Sequence, residues 1–116
     1  MKSQVYDKAF KFAIRIVNAY NYLVREKHEQ TLSKQLLRSG TSVGGNIAEA
    51  QGAFSKAEFA AKMSIAYKEC LETKYWPSLL KETGYINVDA FNSIYAEADE
   101  ISKILSAIVK TSRENS

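Results

Sequence analysis

Apolar residues recur along this chain at steps of three and four, and the pattern resolves into four helical stretches. The last is the clearest: Phe91, Ile94, Ala98, Ile101, Leu105 and Ile108 form the seam by which a helix packs in a bundle. Asn87 is placed to cap it. Acidic residues (Asp89, Glu97, Asp99, Glu100) precede basic ones (Lys103, Lys110, Arg113), an order that suits the helix dipole. These signals predict a helix over about Val88 to Thr111.

The third stretch opens with Ser55-Lys56-Ala57-Glu58, a capping box whose two side chains can satisfy otherwise unpaired backbone donors. Phe59, Met63, Ala66 and Cys70 then define one face, Tyr67, Leu71 and Trp76 widen it, and Gly84 supplies a stop after Lys81. Pro77 lacks a donor and clashes one turn back near Thr73, which predicts a kink or local break there, with helix resuming over Ser78 to Glu82. The first helix runs from Ser3 or Gln4 to Lys27, with Phe10, Ala13, Ile14, Val17, Tyr20 and Val24 assigned to its packed face. A second set, Tyr6, Phe12, Ile16, Ala19 and Leu23, is more apolar surface than an outer helix of a monomeric bundle needs, a sign of oligomerisation.

The second helix, with Thr31 as its expected cap, contains Gly40, Gly44 and Gly45 within a pattern continued by Leu36, Val43, Ile47 and Ala50. An interior glycine costs up to ~1 kcal/mol relative to alanine, so each asks for a reason. Gly40 shares the face of Leu36, Val43 and Ile47, where a missing side chain lets another helix come close. The fold class these stretches predict is all-α, an antiparallel up-down four-helix bundle filling residues 1–116 as one domain.

Composition narrows the chemistry. With 116 residues, 46% of them hydrophobic and 25% charged, the chain matches an ordinary soluble domain able to bury one core without disulfide or metal support. Charges such as Lys8, Lys11 and Arg15 interrupt the N-terminal apolar residues, so neither a membrane span nor a signal peptide is expected. Cys70 has no second cysteine to pair with, making the reducing cytoplasm the default location. The single histidine, His28, follows Arg25 at the spacing where a helical di-iron site needs Glu-x-x-His. His28 instead suits the end of the first helix, Cys70 reads as a small buried hydrophobe, and Glu69 and Glu72 with Glu49 read as surface charge. No cofactor, metal or catalytic site is expected.

Two polar lines carry whatever recognition the sequence offers. Lys8, Lys11, Arg15, Asn18, Tyr22 and Arg25 share one side of the first helix. They are either a solvated face or a phosphate-binding stripe with an interleaved aromatic, in which Lys8, Lys11, Arg15 and Arg25 contact RNA or DNA. Beside Arg38, the line Ser39, Ser42, Asn46 and Glu49 suits hydrogen bonding between helices or subunits, or a ligand contact. The net charge of +3 is compatible with an anionic partner without requiring one.

The stretch Leu37-Arg38-Ser39-Gly40-Thr41-Ser42-Val43-Gly44-Gly45-Asn46-Ile47-Ala48-Glu49-Ala50 resembles a known family. With Ser55 to Phe59, Ser64 to Thr73, Tyr75-Trp76 and Leu79 to Ile86 following in order, the chain is similar to bacterial four-helix-bundle proteins first recognised in intervening sequences of 23S ribosomal RNA genes. The family pattern of a serine, a short spacer and Asn-Ile-Ala-Glu is matched by Ser42, Asn46, Ile47, Ala48 and Glu49. Gly44-Gly45 and Ala50 depart from the Pro-Ser or Pro-Ala pair and the later glycine that many members carry. The same superfamily includes the accessory variability protein of diversity-generating retroelements, a basic pentameric barrel that associates with nucleic acid and a reverse transcriptase. The resemblance therefore implies a four-helix bundle, a homopentamer and no catalytic activity; with the polar line beside it, Arg38, Ser42, Asn46 and Glu49 are expected to be motif or interface residues.

The functional expectation is a non-catalytic, homo-oligomeric accessory protein associated with nucleic acid. The alternative is a scaffold that docks a partner protein, such as a reverse transcriptase or another enzyme, without touching nucleic acid.

Overall fold

Each of the four predicted stretches is a helix, and the capping chemistry explains where each begins. The computed structural model describes residues 3–114, in the order α1 (Gln4–Arg25), α2 (Thr31–Gln51), α3 (Lys56–Glu82) and α4 (Val88–Glu114). Ser3 caps α1 by accepting from the Tyr6 amide at 3.0 Å, and Asn87 caps α4 by accepting from the Ala90 amide at 2.8 Å. Ser55 caps α3 through the Glu58 amide at 3.0 Å. The Glu58 carboxylate reaches back to the Phe54 amide at 2.6 Å, one residue earlier than a regular capping box.

The start of α2 corrects the sequence reading. Thr31 is its first helical residue, and the Gln30 side chain supplies no cap. Glu29 does so instead. Only 8% exposed, its carboxylate accepts from the Leu32 amide (3.1 Å) and from both the amide and hydroxyl of Ser33 (2.7 Å each). Burial works against its charge, but the hydrogen bonds from the Ser33 hydroxyl and the Leu32 and Ser33 amides outweigh it and hold the carboxyl below its usual range.

No break appears at Pro77: α3 continues through it to Glu82. Pro77 is itself buried in line with Thr73 and Leu80, so the packing of this face offsets the one backbone bond the proline removes. The helix ends in a Schellman arrangement, with the Tyr85 amide bonded to the Leu80 carbonyl (2.8 Å) and the Gly84 amide to that of Lys81 (3.1 Å). Gly84 adopts φ +86°, the left-handed conformation this motif needs.

Short connections make sequential helices antiparallel neighbours. α2 packs on α1, α3 on α2 and α4 on α3, while α1 and α4 meet much more thinly. The bundle measures 46 × 21 × 20 Å. Its core holds the expected faces of α2, α3 and α4, among them Leu36, Val43, Ile47, Met63, Ala66, Cys70, Ile94, Ala98, Ile101 and Leu105.

On α1 the two apolar sets exchange roles. Val5, Ala9, Phe12, Ile16 and Leu23 face the core, whereas Phe10 (54% exposed), Ile14 (51%) and Val17 (39%) face outward. Both sets have helical spacing, and only tertiary packing selects between them. Gly40 takes part in that choice, since it sits directly against the side chain of Ile16. The surplus of apolar surface on this helix is present, on the face opposite to the one expected.

Candidate functional site

The basic stripe of α1 lies on one side of the helix, as its spacing requires, but α4 places acids against part of it. Lys8 pairs with Glu100 at 3.3 Å, and Arg15 with Glu97. Lys11 and Arg25 are exposed, with no carboxylate in ion-pair distance among the described residues, and Asn18 and Tyr22 are exposed beside them. Two of the four cations thus join the thinly packed α1–α4 edge. The α1 periodicity could not reveal this, because the opposing acids lie more than eighty positions away.

The line on α2 divides by function. Arg38 reaches across to α3, bonding Glu69 at 3.2 Å and also Glu72, while Glu72 accepts from Trp76 Nε1 at 3.0 Å. Glu49 pairs with Lys62 at 2.7 Å and holds its ammonium protonated above the usual lysine range. These ends of the line therefore tie α2 to α3. Ser42 and Asn46 do not: the serine hydroxyl donates to the Arg38 carbonyl (2.6 Å) and the asparagine amide to that of Ser42 (2.9 Å), both within α2. Glu49 is engaged with Lys62 while Glu69 and Glu72 are engaged with Arg38. Among the described residues no three His, Cys, Asp or Glu side chains gather as a metal-binding group.

Another ionic tie, absent from the sequence reading, links α3 to α4. Asp99 accepts from Lys74 at 2.7 Å and Lys103 at 3.0 Å, and these two hydrogen bonds hold its carboxyl below the usual range. Cys70 is fully buried, donates from Sγ to the Ala98 carbonyl at 3.2 Å, and is pushed by burial up to about 12. At neutral pH such a thiol is protonated and a poor nucleophile. His28 lies beyond the end of α1, exposed, at φ +56° in the connection to α2.

A concavity of about 530 Å³ lies between the C-terminal half of α1, the first turns of α4 and the α3–α4 connection. Leu23, Leu36, Leu80 and Ile94 line it with Arg15 and Lys27; among the described residues no carboxylate, histidine or cysteine does. Its walls could hold an apolar group beside a cation but offer no acid–base pair. No described helix is long and apolar enough to cross a membrane.

A crystal structure of a protein with unknown function from the S23 ribosomal protein family of Bacteroides thetaiotaomicron VPI-5482 superimposes on this bundle with a TM-score of 0.90. The two are 51% identical, over 91% of this chain and 98% of that one. None of the curated proteins matches in sequence. Residues 1–107 match the family described as 23S rRNA-intervening sequence protein, covering nearly the whole bundle and the Asn46-Ile47-Ala48-Glu49 motif within it. The chain belongs to the 23S rRNA-intervening sequence protein family.

Proposed function

We propose that this protein is a non-catalytic accessory protein that assembles with copies of itself through α1 and, once assembled, associates with nucleic acid. The observation that carries the reading is the outward ridge of Phe10, Ile14 and Val17, spaced by four and three residues on a helix whose opposite face already fills the core. Residues of this size clustered on one exposed face favour a partner surface, and a second copy supplies one at no cost in specificity. The family resemblance makes five the expected number of copies.

Assembly also makes a modest charge effective. Each chain carries +3, and repeated weak phosphate contacts in one particle multiply their effect through avidity. The scaffold reading draws support from the engagement of Lys8 and Arg15 by α4, which leaves Lys11 and Arg25 as the uncommitted charge of the stripe. Fluorescence anisotropy with labelled RNA and DNA across a salt series separates the two readings. Association with nucleic acid requires binding that weakens steeply with salt; absence of binding at low salt leaves the scaffold.

A further inference from the structure

Seven cations on this bundle, Lys8, Arg15, Arg38, Lys62, Lys74, Lys81 and Lys103, each have a carboxylate within ion-pair distance. Lys68 on α3 and Lys110 on α4 have none among the described residues, yet they line the same cleft. The cleft occupies about 390 Å³ between the two helices, with Ser64, Tyr67 and Lys68 on one wall and Ser106, Lys110 and Arg113 on the other. Glu114, four residues after Lys110, is the one acid in its lining among the described residues.

The hydroxyls point the same way. Ser39 and Ser42 on α2 and Ser78 on α3 donate to the carbonyl four residues back, the usual outlet for a helical serine. Ser64 and Ser106 make no such bond and have no partner among the described residues, so both hydroxyls are available to an acceptor in the cleft. A shallower concavity adjoins it, sharing Ser64, Lys68 and Arg113 and walled by Ala57, Ala60, Ala61 and Ile65. Two lysines and two hydroxyls lining one cleft from two helices, with a further concavity beside it, suit a string of phosphates better than a single small anion.

We infer that the α3–α4 cleft built by Ser64, Lys68, Ser106 and Lys110 binds the phosphodiester backbone of a nucleic acid, and is the principal nucleic-acid contact of each subunit. This rests on the nucleic-acid reading of the protein's function but moves the contact away from the α1 stripe. Recognition here is of phosphate, without base readout, since the donors available are those that position a backbone.

The test is anisotropy with fluorescein-labelled single-stranded RNA and duplex DNA across a salt series, using the intact chain and three double variants. Lys68→Gln with Lys110→Gln is expected to weaken binding about tenfold and flatten the log–log salt slope by roughly 0.7 per lost phosphate contact. Lys68→Arg with Lys110→Arg, which keeps the charge, is expected to retain binding. Lys11→Gln with Arg25→Gln on α1 is expected to change affinity less than about twofold. Circular dichroism and light scattering check that fold and assembly persist in each. A parent that binds while the cleft glutamine pair leaves affinity and slope unchanged overturns the cleft alone. A parent that binds no RNA or DNA at low salt overturns the nucleic-acid reading on which it rests.

Discussion

A Cβ placed on Gly40 would lie 2.9 Å from both Cγ1 and Cγ2 of Ile16, closer than packed carbon atoms approach. Ile16 is fully buried and β-branched, so it cannot swing aside as a long flexible chain would. The contact sets the spacing of α1 and α2. Gly45, five residues further along and on another side of the helix, would meet nothing within 4 Å. The two glycines should therefore respond oppositely to substitution. Gly40→Leu is expected to destabilise the fold by ~1 to 3 kcal/mol through overpacking, despite leucine's better helix propensity. Gly45→Ala is expected to stabilise it by up to ~1 kcal/mol. Urea denaturation of both variants against the parent is the check, and a Gly40→Leu protein as stable as the parent would refute the close approach.

Glu29 links the fold to pH. Its folded carboxyl titrates below the usual 4.5 although burial opposes the charge, because Ser33 and Leu32 donate to it. A depressed folded value means that its stabilisation is complete above about pH 4.5 and disappears as pH falls through the lower folded value. Glu29→Ala, which removes the acceptor for these donors, is expected to cost ~1 kcal/mol near neutral pH. The gap between parent and variant should narrow as the solution is acidified below pH 4.5. Denaturation midpoints over that range give the answer; a constant gap would mean that Glu29 contributes packing and not charge.

Cys70 should be silent in the folded protein. With its thiol buried, bonded to the Ala98 carbonyl and pushed up to about 12, iodoacetamide at neutral pH is expected to label it only after unfolding in guanidinium. Rapid alkylation of the native protein would show that α3 and α4 open readily around it.

Much of the fold was legible in the sequence because its signals were local. Ser55 and Asn87 stand next to the helices they cap, and Gly84 ends α3 where its left-handed backbone is needed. The face of α1 was not legible. Apolar residues cover so much of its circumference that periodicity offers two packed faces, and the deciding partner, Gly40, lies in another helix. Glu29 was missed for a different reason: Thr31 has the residue type of a cap, whereas a glutamate one position before the cap reaches the same donors through a longer side chain. The α1 stripe was visible as a line of charges, but its neutralisation by Glu97 and Glu100 depends on the pairing of the first and last helices. The Lys68–Lys110 cleft is hidden in the same way, since neither helix alone carries a conspicuous basic run.

The most direct measurement is the solution mass of the parent beside a variant carrying Phe10→Asp and Ile14→Asp. Both residues are more than half exposed in the isolated chain, so the substitutions should leave the core and the helix content intact. Assembly through α1 gives the parent a mass near five times 13.0 kDa by multi-angle light scattering at micromolar concentration, and reduces the variant to a single chain. A parent that runs as a 13.0 kDa monomer, or a variant that keeps the parent's mass, would contradict self-assembly through this helix.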